Sequence, residues 1–229
     1  MAAGYEDAND ASTLRHDTAL KLAVGRAPLC VPHLASQPTL SRLEATIAED
    51  GCERVNEVLL SQFLDTPRRR PRNLLLDIDT SEHETHRQQE LAFYNDFYGS
   101  RCYLPRFLFA SVPHEPDQSL VRAELPDHQE EQTDAILDSL EEILATLRER
   151  WPKVQLRLRA DAGFADLELY TWLEEHHVGY TIGIGVNAVL KRLAEPVCAR
   201  AKRLAVASKT GSAVVYGSVW YQAQRWEKK

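Results

Sequence analysis

The chain has 229 residues, 44% of them apolar, and a formal net charge of −7. It is long enough for one well-packed core with an accessory segment, and it contains no apolar run of about 18 residues, which excludes a helical membrane span. The N-terminal segment "MAAGYEDANDASTLRHDTAL" is acidic and interrupted and shows no secretory signal, so we expect a cytoplasmic protein.

Residues 1–70 are predicted to form a small helical N-terminal region. The segment "TALKLAVG" ends on Gly25, "TLSRLEATIAEDG" opens with a Ser/Thr capping signal and ends on Gly51, and "ERVNEVLLSQFL" has apolar residues three and four apart. The run "DTPRRRPRN" then interrupts every periodicity, so we place a domain boundary near residues 66–72.

Three strands are predicted after this boundary, in the segments "NLLLDID", "RCYLPRFLFAS" and "SLVRAEL". They are linked too closely for crossover connections, so we expect an antiparallel meander. Residues 130–150 then place apolar side chains at helical spacing, and Trp151 and Pro152 end this helix.

The next strand, "VQLRLRADAGF", alternates apolar and basic residues until the pattern breaks at Asp161. A helix capped by Asp166 and ended by Gly179 is predicted to follow, and "YTIGIGV" predicts one more strand. Because strands separated by a long helix run parallel, we predict an α/β fold over residues 71–229. This fold is a ribonuclease H-like mixed sheet flanked by helices.

Carboxylates stand at the ends of two strands of this sheet. The strands that start at Asn73 and Val154 are expected to lie side by side and parallel, so Asp77 or Asp79 would face Asp161 at one sheet edge. Oxygen ligands of this kind suit Mg²⁺ or Mn²⁺, and a pair of such ions can promote phosphodiester cleavage. The alternative is that Asp161 only caps a turn, which is common for an Asp at the end of a strand.

Four long segments carry a specific resemblance: "GYEDANDASTLRHDTALKLAVGR", "LASQPTLSRLE", "LLLDIDTSEHETHRQQELAFYNDFYGSRCYLP" and "RLRADAGFADLELYTWLEEHHVGYTIGIGVNAVLKRL". They closely resemble the DDE transposases of one group of bacterial insertion sequences. The resemblance implies that Asp79, in an Asp-x-Thr context with Ser81 in place of Thr, and Asp161, in Arg-x-Asp-x-Gly-Phe, are catalytic metal ligands, with Asp77 as the alternative to Asp79.

This resemblance also implies an activity and partners. A ribonuclease H-like catalytic domain of this family binds two divalent metal ions, Mg²⁺ or Mn²⁺, and cuts and rejoins DNA at the ends of the element. Its partners are the insertion-sequence ends and target DNA, and the active form is expected to be a homodimer. The family's third acid, a Glu on a downstream helix, has no counterpart here, and Arg87 replaces a usual Gly. We therefore expect an internal fragment or a decayed copy, truncated before the third acidic residue.

Three other functions are compatible with parts of the sequence. "LLLDIDTS" fits a haloacid dehalogenase-like phosphatase, with Asp77 as nucleophile and Asp79 as general acid, although such an enzyme needs a helix directly after this strand. A catalytically inactive DNA-binding remnant would use "TPRRRPR" and the basic residues of 151–229 for phosphate contacts. A zinc site is the third alternative, and its ligands would come from Glu82, His83, Glu84, His86 and Glu90.

The segment "FYNDFYGSRCY" concentrates aromatic residues close to the predicted sheet. Rings of this size bury a large area when they pack in a core, and they can also stack on bases at a distorted DNA end. We expect core packing to be their role. The residues concerned are Phe93, Tyr94, Phe97, Tyr98 and Tyr103.

Overall fold

A computed structural model describes residues 8–29, 32–44, 46, 49–66, 69–85, 91–127, 132–223 and 226. The chain divides into two compact units, residues 1–58 and 59–229. The sequence-based division at residue 70 stays a prediction. None of the helices in the described part is long and apolar enough to cross a membrane.

The first unit is helical, as predicted. The carboxylate of Asp17 accepts the N–H of Leu20 at 2.8 Å and caps the second helix, and Gly25 follows that helix with a φ of 71°. The prediction that a helix ends at Gly51 is wrong, because Gly51 lies inside a helix. A glycine costs a helix only about 1 kcal/mol, and Gly51 is buried within this helix. The helices are α1 (Ala11–Leu14), α2 (Thr18–Ala23), α3 (Gln37–Glu44) and α4 (Glu49–Asp65). The last turns of α4 belong to the second unit.

The second unit is built on a five-stranded sheet with the order β6-β5-β1-β7-β8. Strand β5 is antiparallel to both β1 and β6, whereas β7 is parallel to both β1 and β8. This mixed sheet flanked by helices confirms the predicted ribonuclease H-like fold class. Its elements are β1 (Asn73–Thr80), β2 (His83–Glu84), β3 (Phe93–Asn95), β4 (Ser100–Tyr103), β5 (Arg106–Ser111), β6 (Gln118–Glu124), α5 (Gln132–Arg150), β7 (Gln155–Ala160), α6 (Leu167–Glu175), β8 (Gly179–Ile182) and α7 (Ala188–Ala207).

The segment "RCYLPRFLFAS" forms two strands in different sheets, so the prediction of one strand is wrong. Strand β4 joins β2 and β3 in a small sheet, and β5 joins the main sheet. Pro105 lies between β4 and β5, and its lack of an N–H interrupts the ladder. The chain therefore changes sheets at this proline.

One face of the main sheet carries the core. Leu74, Leu76 and Ile78 of β1 alternate with more exposed residues and are at most 5% exposed, as expected for a sheet with one buried face. Apolar side chains of α5 and α6 belong to the same cluster, as does Phe63 of α4, whose ring meets that of Trp151 edge to face at 6.1 Å. The core thus holds the strands that carry the candidate carboxylates.

Helix α6 ends earlier than the sequence predicts. Asp166 caps it as expected, but the helix stops at Glu175, and Gly179 is the first residue of β8. His177 takes the left-handed conformation, with a φ of 52°. This is the conformation that glycine often adopts at the end of a helix. Strand β8 likewise stops at Ile182.

Candidate active site

The parallel pairing of β1 and β7 brings Asp79 and Asp161 to the same edge of the sheet. Asp77 pairs with Arg159 and Ile78 with Ala160, so Asp79 and Asp161 occupy the next position of this register. Because side chains alternate between the faces of a sheet, Asp79 lies on the face opposite Ile78 and the core. Asp161 directly follows the last residue of β7. Neighbouring strands are about 4.8 Å apart, so the two aspartates stand at the ends of adjacent strands.

Each of these two carboxylates is anchored by one oxygen. Oδ1 of Asp79 accepts the N–H of Thr80, and Oδ1 of Asp161 accepts the N–H of Gly163, both at 2.8 Å. Asp161 thereby caps the short 3-10 turn Ala162–Phe164. The turn-capping alternative is thus correct, and it is compatible with a metal-binding role because Oδ2 of Asp161 has no hydrogen bond to any residue that the structure describes.

Asp77 is engaged in a different set of contacts. Arg159 donates two hydrogen bonds to its carboxylate, from Nε to Oδ1 and from a terminal nitrogen to Oδ2 at 3.0 Å, and Gln118 donates a third at 3.0 Å. The Asp77 side chain is only 15% exposed. Of the two acidic residues of β1, Asp79 is therefore the one with an oxygen available for a ligand.

Two glycines shape the Asp161 turn, Gly163 within it and Gly183 packed against it. A Cβ on Gly163 would lie 3.0 Å from Oδ1 of Asp161, and a Cβ on Gly183 would lie 2.8 Å from the backbone nitrogen of Ala162. The N–H of Gly183 also donates to the carbonyl of Ala160 at 3.1 Å. The sequence predicts Gly183 only as part of the strand "YTIGIGV". A glycine within a strand pattern is nevertheless a signal that another backbone approaches closely.

A cavity of about 680 Å³ opens beside Asp161. It is lined by the Asp161 turn and the start of α6, and by aromatic residues of β3 and of the loop that follows it. Thr80, which follows Asp79, also contributes. The main lining residues are Thr80, Phe93, Asn95, Phe97, Tyr98, Arg106, Asp161, Phe164 and Asp166.

A buried charge cluster supports the strand next to β1. Arg106, 5% exposed, donates from Nε to Glu124 at 2.9 Å and from a terminal nitrogen to the carbonyl of Ala135 at 3.2 Å. Burial alone would raise the pKa of Glu124, but hydrogen bonds from Ser139 and Arg122 and the charge of Arg106 hold this pKa below its usual value. Glu124 thus stays ionised and ties β5 and β6 to α5.

The donor set at the sheet edge fits a hard divalent cation. Carboxylate oxygens on the exposed face of the sheet are the ligands that Mg²⁺ and Mn²⁺ prefer, and both ions tolerate retained water. Within the described ranges no group of three His, Cys, Asp or Glu side chains is assembled for a metal. The described residues at the sheet edge thus include two candidate ligands, Asp79 and Asp161.

The structure does not assemble the alternative sites. His83 and Glu84 lie exposed in β2, the hydroxyl of Ser100 donates to Glu82 at 2.8 Å, and His86 and Glu90 lie outside the described residues. The phosphatase alternative needs a helix directly after β1, where the chain forms strand β2 instead. Its proposed nucleophile, Asp77, is held by Arg159.

The chain matches a known protein family over its whole length. The model of the family described as transposase DDE domain group 1 matches residues 1–229. The search of curated proteins gave no match.

Several solved structures are similar over most of the chain. The chain is 15% identical to a Drosophila P element transposase in a strand transfer complex, with a TM-score of 0.40, covering 87% of this chain and 45% of that one. It is 15% identical to a chain of a simian T-cell lymphotropic virus intasome, with a TM-score of 0.33 and coverages of 62% and 42%. For the catalytic domain of the Mos1 mariner transposase the identity is 13%, the TM-score 0.29 and the coverages 79% and 77%. The chain thus spans less than half the length of the first two relatives.

Proposed function

The chain belongs to the family of transposase DDE domains, and from this premise we propose that it carries out metal-dependent cleavage and transfer of DNA strands at the ends of an insertion sequence. The observation that carries the proposal is the register of β1 and β7, which makes Asp79 and Asp161 neighbours on one exposed sheet edge. Such a pair of carboxylates provides oxygen ligands for a divalent ion next to a cavity.

Asp79 and Asp161 would hold the Mg²⁺ or Mn²⁺. A bound divalent ion of this kind activates an attacking hydroxyl and stabilises the leaving oxygen of a phosphodiester. The chain's own contribution is to fix the two ligands. The N–H groups of Thr80 and Gly163 orient one oxygen of each carboxylate, and the ion pair of Asp77 with Arg159 holds β1 and β7 together two residue pairs earlier.

The proposed partners are insertion-sequence ends and target DNA, bound by a homodimer in the cytoplasm. Basic residues outnumber acidic ones in residues 151–229, although the whole chain is acidic. A local excess of Lys and Arg attracts phosphate backbones regardless of base sequence. This charge distribution supports DNA as the partner.

Binding of Mn²⁺ and nicking of supercoiled plasmid DNA test the proposal. We expect Mn²⁺ binding, followed by electron paramagnetic resonance, and Mg²⁺-dependent nicking. Both should be lost in Asp79→Asn and in Asp161→Asn. The matched control is Asp77→Asn, which removes a carboxylate from the same strand and should retain both properties. Binding and nicking that survive in both Asp79→Asn and Asp161→Asn would contradict the assigned roles.

A second candidate function is DNA binding without catalysis. It is favoured by the presence of only two candidate metal ligands among the described residues at the sheet edge. In that case the chain would bind duplex DNA with an affinity that falls steeply between low and moderate salt. No nicking would accompany this binding at any Mg²⁺ or Mn²⁺ concentration.

A further inference from the structure

The tip of the β3–β4 hairpin has a fixed conformation. Oδ1 of Asn95 accepts the N–H of Phe97 at 2.9 Å and that of Tyr98 at 3.4 Å, and the carbonyl of Asn95 accepts the N–H of Gly99 at 2.8 Å. Gly99 has a φ of 70°, which glycine adopts without steric cost. The two aromatic residues are therefore held in place by the backbone of the turn.

Their rings are directed to solvent and away from the core. Phe97 is 88% exposed and Tyr98 42% exposed, and the two rings meet edge to face with centroids 5.0 Å apart. Neither belongs to the apolar core cluster. The sequence-based expectation that these two residues pack in the core is thus wrong, because a four-residue turn places them beyond the end of the small sheet.

Phe97 and Tyr98 line the same cavity as Asp161. Its volume of about 680 Å³ lies within the range of sites for small organic ligands. A cavity lined by aromatic rings and by the Asp161 carboxylate suits a flat, uncharged group on its aromatic part, because a carboxylate repels anions. A nucleobase has these properties, and a divalent ion held by Asp161 would offset the repulsion of its attached phosphate.

We propose that this cavity binds one unpaired nucleotide of a DNA end, whose base stacks on Phe97 beside Tyr98. The inference rests on the proposed function, because a divalent ion held at the carboxylates is what would bring a phosphodiester to this place. Stacking on an aromatic side chain needs no particular base, since every base has a π face. The subsite thus provides affinity for an opened DNA end without reading its sequence.

The test uses the full chain and a DNA duplex with a short single-stranded extension that carries 2-aminopurine, whose fluorescence is quenched by stacking. Binding is measured with Ca²⁺ in place of Mg²⁺, so that the carboxylates hold an ion that takes oxygen ligands, and the absence of nicked product is checked in the same samples. We expect Phe97→Ala and Phe97→Leu to abolish the quenching and to weaken binding roughly 5- to 150-fold, the range of one lost base stack. Phe97→Trp should retain both quenching and affinity.

Trp220→Ala is the matched control, because Trp220 is fully exposed and does not line the cavity. It should leave quenching and affinity unchanged. Phe97 is itself exposed, and thermal unfolding should therefore show Phe97→Ala to be as stable as the unchanged chain.

The outcomes separate this subsite from the proposed function. Unchanged quenching in Phe97→Ala, or an equal loss in Trp220→Ala, would overturn the subsite even if Mg²⁺-dependent nicking is observed. Loss of quenching in Phe97→Ala together with nicking that persists in Asp79→Asn and Asp161→Asn would support the subsite while overturning the assigned metal ligands.

Discussion

The guanidinium of Arg159 donates two hydrogen bonds to the carboxylate of Asp77 across the parallel strands β7 and β1. This pair lies two register positions before Asp79 and Asp161. The three aspartates thus have different contacts. Asp77 joins the strands, whereas Asp79 and Asp161 each accept the backbone N–H of a residue that follows closely in the chain.

Asp77→Asn is expected to reduce stability more than metal binding. Loss of the charge weakens the pair with Arg159, whose side chain is 60% exposed, so the free energy of unfolding should fall by about 1 kcal/mol. Mn²⁺ affinity should change less than twofold. Urea unfolding and Mn²⁺ titration check this, and a loss of Mn²⁺ binding equal to that in Asp79→Asn would instead make Asp77 a ligand.

Gly183→Ala is expected to disturb the candidate site. The added methyl group would lie 2.8 Å from the backbone nitrogen of Ala162, so the Asp161 turn must shift. We expect a loss of about 1–3 kcal/mol in the free energy of unfolding and weaker Mn²⁺ binding. Gly185→Ala is the control, since nothing lies within 4 Å of its Cβ position. If the two variants behave alike in urea unfolding and Mn²⁺ titration, the close approach at Gly183 is unimportant.

The Glu124 cluster predicts a loss of stability in acid. Burial raises the pKa of Glu124, but the hydrogen bonds from Ser139 and Arg122 and the charge of Arg106 outweigh it and lower this pKa in the folded chain. A lowered pKa means that the stabilisation is fully present above the unfolded value of about 4.3 and is lost as the pH falls through the folded value. Urea unfolding at a series of pH values should therefore show stability decreasing below about pH 4.

Glu124→Gln should remove this acid dependence. It leaves the charge of the buried Arg106 without its counter-ion, and we expect a cost of about 3–5 kcal/mol at neutral pH. Glu142 is also a partner of Arg122, but its side chain is 56% exposed. Glu142→Gln should therefore lower the free energy of unfolding by less than about 1 kcal/mol. A pH profile of Glu124→Gln that parallels that of the unchanged chain would speak against the cluster as the source of the acid sensitivity.

Leu158→Ala tests the core under the candidate site. Leu158 of β7 is fully buried, and its truncation leaves a cavity, so we expect unfolding to become easier by about 2–5 kcal/mol. Val206→Ala, at a position that is 90% exposed, should change stability by no more than about 0.5 kcal/mol. Denaturant midpoints of the two variants check this, and equal midpoints would place Leu158 outside the stabilising core.

Much of the fold could be predicted because local patterns carry it. The alternation of Leu74, Leu76 and Ile78 identifies a strand with one buried face, and the long amphipathic helix before the Asp161 strand requires a parallel return. Element ends were less predictable. Gly51 lies within a helix, because a single glycine is a weak signal against the packing of its surroundings.

The sequence by itself determined the mixed sheet and the parallel pairing of the two strands that lead to Asp79 and Asp161, since strands separated by a long helix run parallel. Only the tertiary structure decided that Asp77 is held by Arg159, that Gly183 backs onto the Asp161 turn and that the hairpin tip meets the same cavity. Such contacts join residues far apart in the chain. Their geometry depends on how strands and turns pack, which no local pattern of side chains encodes.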